Sequence, residues 1–368
     1  MSERKMVKLE DVCEILDSKR IPITASDRKE GQYPYYGANG VQDYVDDYIF
    51  DDELVLLAED GGNFGSKDRP IAYRVSGKCW VNNHAHVLKP KEGLDVDYLC
   101  YSLMFYDVGS LVNGATRMKL TQAAMRQMVI PKCDLEKQRE IVHILSNVKS
   151  VISKRQQQLS ALDNLIKARF VEMFGDGKYE FKSVEELCSE IVDCPHTTPK
   201  YDGELKNPAI RTSEIKKGYI TWESMKFVSD DEYEERIARL RPEAGDIVYG
   251  REGTFGNAAI LPAGYKFCLG QRVMLLRPNY KKTSSEYLLH AVISDDVYKQ
   301  ALDKNNASTV AHVNVKDVKQ FKVPLPPLDL QKQFADFVSQ IDKTKANIQK
   351  SLEKSQILFD GLMQEYFG

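Results

Sequence analysis

The chain has 368 residues, a formal net charge of −3, 42% hydrophobic and 29% charged residues, which suits two folded domains and argues against disorder. No apolar run reaches the roughly 18 residues of a membrane span, and the opening MSERKMVKLEDV has no signal-like apolar core, so a cytoplasmic protein is expected. The 7 cysteines are scattered without a CxxC pair, which fits reduced thiols, and a pI near 6.1 gives no global pull toward nucleic acid.

In chain order, KLEDVCEILD from Lys8 opens a first domain and QYPYYGANG (32–40) adds an aromatic turn. The apolar run ELVLLA reads as a strand running into the glycine turn EDGGNFG (59–65). NNHAHVLKP (82–90) follows, with His84 and His86 on one strand face, then VDYLCYSLM (96–104) and NGAT (113–116). The phrase VIPKCDLEKQREIVHIL from Val129 then leads from a proline into a helix. From Ile141, positions 145, 148, 152, 155, 159, 162, 166, 169 and 173 alternate steps of four and three, the spacing of a coiled-coil seam.

The same order then recurs. SVEELCSEIVD from Ser183 resembles the KLEDVCEILD segment, and DIVY with GREGTFG (250–256) resembles ELVLLA with EDGGNFG. GQRVMLLRP (270–278) and SEYLLHAVI (285–293) follow, then NAST (306–309) and KVPLPPLDLQKQFADFV from Lys322. An ungapped offset of 193 sets Asn113 on Asn306, Pro131 on Pro324, Leu135 on Leu328, Gln138 on Gln331 and Phe174 on Phe367. The second seam holds Phe334, Val338, Ile341, Lys345, Ile348, Leu352, Ser355, Phe359, Leu362 and Tyr366. Each helix leaves a wet apolar stripe alone, and the other copy is its nearest partner.

The expected fold is therefore α+β: two mixed α/β domains separated by two long helices packed as an antiparallel coiled coil, in a pseudo-two-fold repeat. The expected divisions are a first domain at 1–134, a central helix at 135–175, a second domain at 176–327 and a C-terminal helix at 328–368. At about 1.5 Å per residue, helices of this size would run roughly 60 Å and place the domains at opposite ends.

The motifs of catalysis are missing. Neither glycine turn has the phosphate-loop order G-x-x-x-x-G-K-[ST], and there is no HExxH, Cys/His cluster or G-x-S-x-G elbow. The Pro-Pro-aromatic tetrapeptide of amino-methyltransferases is absent too. A non-catalytic chain that binds no cofactor or metal is expected. A coiled-coil adaptor without sequence-specific DNA binding is the alternative.

The chain resembles the DNA-specificity subunit of type I restriction-modification systems over its whole length. The resemblance rests on the Pro-x-x-x-Leu-x-x-Gln helix starts at Pro131–Gln138 and Pro324–Gln331 and on QYPYYGANG. It also rests on DDYIFDDELVLLAEDGG (46–62), VNNHAHVLKP (81–90) and VDCPHTTP (192–199). The family resemblance implies two target-recognition domains, each reading half of a split double-stranded DNA target. It implies helices that measure the unread spacer and dock two adenine methyltransferase subunits at their starts, marked by Leu135, Gln138, Leu328 and Gln331. Those partners bind S-adenosylmethionine, and a translocating nuclease subunit completes a restriction complex.

Candidate DNA contacts follow from residue chemistry. In the first domain they are Tyr35 and Tyr36, Lys67 and Arg69 after the glycine turn, His84, and Arg117 and Lys119 in GATRMKL. Packed aromatics and ordinary solvated charges are the alternative reading for each. In the second domain they are His196, Thr197, Thr198 and Lys200 in a proline-bounded loop, Arg211, Thr254, Arg251, Gln271 and Arg272. Turn capping would explain the hydroxyls equally well. Arg pairs with guanine and Gln with adenine, so Arg251, Gln271 and Arg272 are the first choices for base readout.

Overall fold

The computed structural model describes residues 5–66, 68–114, 118–203, 206–253, 256–304 and 312–368. The chain is a mixed α and β fold of two compact units, Met1–Gln156 with Lys350–Gly368, and Gln157–Gln349. Each unit holds a sheet domain, one end of a first long helix and one end of a second.

In unit 1 the elements that position the site are β1 (Lys5–Lys8), β2 (Cys13–Ile15), β3 (Phe50–Ala58), β4 (Ala85–Pro90), α1 (Val96–Met104), β5 (Val129–Lys132) and the start of α2 (Leu135–Phe174). The sheet runs β2, β4, β3, Ala72–Val81, Glu30–Gly37, Gly40–Val45. Leu54, Val55, Leu56, Leu57 and Ala58 in β3 are all fully buried. Val55 and Leu57 pack under Leu99, Leu103 and Leu145, whereas Leu54 and Leu56 meet Val75 and Val87 on the other face. A strand covered on both sides needs no polar alternation, which explains the unbroken apolar run.

Unit 2 repeats the ladder with β6 (Phe181–Ser183), β7 (Cys188–Asp193), β8 (Ile247–Gly250), β9 (Val273–Pro278), α3 (Ser285–Val292), β10 (Lys322–Pro324) and α4 (Leu328–Phe367). The central registers match pair for pair. Val55–Leu88, Leu56–Val87, Leu57–His86 and Ala58–Ala85 across β3 and β4 become Ile247–Leu276, Val248–Leu275, Tyr249–Met274 and Gly250–Val273 across β8 and β9. Ala58 thus corresponds to Gly250, one residue away from the pairing of Glu59 with Gly250 that the glycine-turn resemblance suggests. Beyond the shared ladder the units diverge. Unit 2 places Lys226–Val228, Asn207–Ile210 and Cys268–Leu269 in a separate three-stranded sheet.

The most distinctive joint is polar. Gln138 and Gln331, one turn into α2 and α4, are fully buried. Gln138 Oε1 accepts the Asp95 N–H at 2.8 Å, and its amide nitrogen donates to the Gly93 and Cys133 carbonyls at 3.1 and 2.8 Å. Gln331 repeats this with the Ser284 N–H at 3.0 Å and the Lys282 and Pro326 carbonyls at 3.0 and 2.9 Å. Asp95 and Ser284 are themselves the N-caps of α1 and α3. Tyr98 and Tyr287 then donate to the carbonyls of Pro131 and Pro324. Each long helix is therefore sewn to its own domain, and β5 and β10 pair with β1 and β6 to close that domain. The motif glutamines are internal clamps with no surface left to offer a partner. Leu135 is half-buried and Leu328 is exposed.

The helices meet along the expected seam. Every seam position from Ile141 to Met173 and from Phe334 to Tyr366 is buried or half-buried. In unit 1, Ile141, Leu145 and Ile152 of α2 pack with Phe359, Leu352 and Leu362 of α4. In unit 2, Ile166 and Phe174 of α2 pack with Phe334, Val338 and Ile341 of α4. Start lies beside end in both units, which is antiparallel packing. The terminal aromatics mirror each other: Phe367 meets Tyr98 edge-on at 5.1 Å, and Phe174 meets Tyr287 at 5.0 Å.

Replacing Gln138 or Gln331 by Ala removes the side-chain partner of one N–H and two carbonyls beneath the helix start, at a cost of about 2–4 kcal/mol. Denaturant unfolding of each variant should show that loss. Glu should do no better, because a carboxylate oxygen would then face both carbonyls.

Candidate nucleic-acid interface

In unit 1 the chain leaves β3 at Ala58, turns at Gly61 (φ 62°) and later enters β4 through His84. The charged groups here sit in two tiers. The inner tier is closed: His86 faces Asp17 through Nδ1 at 2.6 Å and the Leu120 carbonyl through Nε2 at 2.9 Å. Asp17 also accepts from the Val87 N–H and Gln122, and Arg20 bonds Glu59 at 2.6 Å. Among the described residues Asp17, Glu59 and His86 are the grouping with metal-ligand spacing. Both imidazole nitrogens already face oxygens of the protein, so the grouping is satisfied by its own hydrogen bonds. Burial pushes the Asp17 and Glu59 carboxyls upward. Burial is the largest single influence on each, but for Asp17 His86, the Val87 N–H and Gln122 together outweigh it, for Glu59 Arg20, Lys119 and His86 together do, and both end below the usual range.

The outer tier carries the candidate contacts. His84 meets Asp60 at 2.5 Å, and Lys119, half-exposed, reaches Glu59 at 3.0 Å. Asp60 and Lys119 also form a β-bridge. Arg69 is exposed after the turn. Tyr36 is partly buried, tilted against Tyr73 at 5.7 Å. Tyr35 is buried under Arg28 and exchanges hydrogen bonds with the Ile23 backbone, so it serves the core and is withdrawn from DNA. Lys67, Arg117 and Thr254 lie outside the described residues.

Unit 2 has the same two tiers with different residues. Arg251 is buried, 5% exposed, and donates to Asp193 at 2.8 Å. It is an inner strut and does not face outward. Arg211 is likewise committed, held by the fully buried Glu214 and the Ser224 carbonyl. Burial alone would raise the Glu214 carboxyl, but bonds from Arg211, Ser213 and Ser224 hold it low. Outside them Arg272, 60% exposed, meets Glu252 at 2.9 Å, and His312 approaches Glu252 at 3.2 Å. Gln271 donates to Thr198 at 3.0 Å, Arg236 to the Thr197 carbonyl at 3.2 Å, and exposed His196 lies 3.4 Å from Asp193. Lys200 is exposed. Cys194, Pro195, His196, Arg251, Glu252, Gln271 and Arg272 line one polar cleft of about 200 Å³.

One repeated ladder thus carries unlike charged groups at its two tips. The family model described as the type I restriction modification DNA specificity domain matches residues 1–162 and again 198–355. The chain belongs to this specificity family. It is a type I specificity subunit carrying the family domain twice. A putative type I restriction enzyme specificity subunit of Haemophilus influenzae is 26% identical over 95% of this chain and 91% of its own. The MjaVIII specificity subunit of Methanocaldococcus jannaschii is 23% identical over 95% and 90%. The solved S subunit from M. genitalium shares the fold with a TM-score of 0.60 at 14% identity, covering 100% of this chain and 96% of that one.

The outer tiers of the specificity subunit also contain residues that sequence reasoning passed over: Asp60, Glu252 and His312. The offset of 193 already sets His312 on Lys119, but the acids become visible only through the strand register.

The low-lying carboxyls fix a pH dependence. Their contribution to folding is complete above the ordinary carboxylate range near pH 4 and is lost as pH falls through their depressed values. Asp17→Asn should lower the melting temperature at pH 7 and flatten its fall below pH 4. An unchanged acid slope would show that Asp17 carries none of it.

Proposed function

We propose that this specificity subunit is non-catalytic and reads a bipartite duplex, one half-site per unit, with α2 and α4 setting the unread gap. The observation that supports this is the pairing of identical ladder register with unlike charged tips. One scaffold holds two readers, and two readers suit an asymmetric target. Exposed Arg69, Lys119, Lys200 and His196 are the proposed phosphate contacts, joined by Lys67, Arg117 and Thr254 from their sequence positions. Thr197, Thr198, Gln271, His84 and Arg272 supply groups able to meet base edges.

Partner docking moves outward from the clamp glutamines. Leu165 and Leu358, equivalent under the offset of 193, are 45% and 53% exposed on α2 and α4. Apolar groups repeated on the solvent face of two helices suit two copies of one partner. The proposed partners are two adenine methyltransferase subunits carrying S-adenosylmethionine, with a translocating nuclease subunit where the host has one, acting in the cytoplasm. The described helices include none long and apolar enough to cross a membrane.

Selection from a randomised duplex pool by the chain with its methyltransferase partner tests this reading. Bound duplexes should share two short blocks separated by a constant gap, with affinity falling steeply as salt rises. A pool with no shared blocks would favour the adaptor alternative. The joint Leu165→Asp and Leu358→Asp variant should fold but fail to retain the partner; undiminished co-purification would remove these leucines from the docking surface.

A further inference from the structure

We propose that Arg272 and His84 are equivalent base-reading side chains of the two units, each aimed at a guanine edge by a carboxylate on the neighbouring turn, Glu252 and Asp60. The proposal rests on the reading of the chain as a bipartite DNA reader and deepens it.

The equivalence comes from register. Because Ala85 and Val273 occupy the same rung, the residue just before each is His84 and Arg272. Because Ala58 and Gly250 share that rung, the second residue beyond each is Asp60 and Glu252. The partners match as well: His84 is held by Asp60, and Arg272 by Glu252. Each acid also bridges the strand segment that crosses beside it, Asp60 with Lys119 and Glu252 with His312. The plan of strand-end basic residue, turn acid and second basic residue is therefore present twice, although all three differ between the copies.

The backbone supplies an independent observation. Arg272 has φ of 66°, and it is the one non-glycine among the described residues with positive φ. A conformation that L side chains avoid is kept where it has a use. Here it accompanies an arginine that is 60% exposed and lines the polar cleft. Glycine would hold this turn with less strain, so packing does not explain the arginine.

The chemistry fits a G·C pair. A guanidinium forks onto guanine O6 and N7, and a carboxylate beside it accepts from the paired cytosine amino group. The same carboxylate repels phosphate, so the pair is a poor nonspecific contact and discriminates against wrong partners. Histidine in place of arginine changes the reach and the number of donors, which lets the two half-sites differ.

The test uses the chain with its methyltransferase partner and the randomised pool. Arg272→Gly should leave the melting temperature unchanged or raise it, because glycine accepts positive φ. It should also erase guanine preference, by about 10- to 100-fold, at one position in one block, leaving the other block intact. Glu252→Gln should raise affinity for unrelated duplex while weakening preference at that same position. His84→Ala should act on the other block alone. If wild type selects two blocks and Arg272→Gly keeps the guanine preference, or weakens both blocks equally, Arg272 is not a reader and the proposal fails. If wild type selects no blocks, the bipartite reading fails and takes this proposal with it.

Discussion

A glutamine amide with both N–H groups and its oxygen engaged inside the protein fixes how each domain meets its helix. Gln138 and Gln331 are fully buried, yet each donates to two carbonyls and accepts one N–H. A buried amide tolerates no slippage, since a shift of an ångström or so would leave strong polar groups unpaired. An apolar contact at the same place would permit sliding. The accepted N–H belongs to the N-cap of α1 or α3, so the clamp ties two helix starts together. The helix that ends in the same unit is fastened nearby, through Phe367 on Tyr98 or Phe174 on Tyr287.

On this constrained base the two units are free to differ. Their central strands keep one register, but the charges at the ladder's end are redistributed. Glu59 in unit 1 corresponds to Arg251 in unit 2, Arg20 to His196, and His86 to the apolar Met274. The acid is retained at Asp17 and Asp193, and in each unit it binds the basic side chains beside it. An inner tier that stays neutralised supports an outer tier that can change. Specificity can then diverge without each change unfolding the domain beneath it.

Much of this architecture was legible in the sequence because it is periodic. The heptad seam predicts, position by position, which helix residues lose their solvent, including the polar entries Arg155, Lys345 and Ser355. The apolar run before each glycine turn is the central strand of its ladder. The side-chain roles were less legible, for identifiable reasons. Arg251 looks like a free reader until Asp193, 58 residues earlier in the chain, is folded against it. Tyr35 and its neighbour Tyr36 alternate across a strand, and only the fold decides which one faces inward. The glutamines mark helix starts in any reading, but a motif does not say whether it faces a partner or its own core. A one-residue difference between the glycine turns hides the matching of Asp60 with Glu252 from a gapless comparison.

The central claim is that the buried amide clamps hold each domain rigidly to its helix. Native-state hydrogen exchange at the Asp95 and Ser284 amides, which donate to Gln138 and Gln331, tests this most directly. The account predicts protection close to that of the buried residues 54–58 in β3 and of β8, so that these amides open only when their unit unfolds. Exchange at the rate of exposed loop amides would show a loose joint and contradict it.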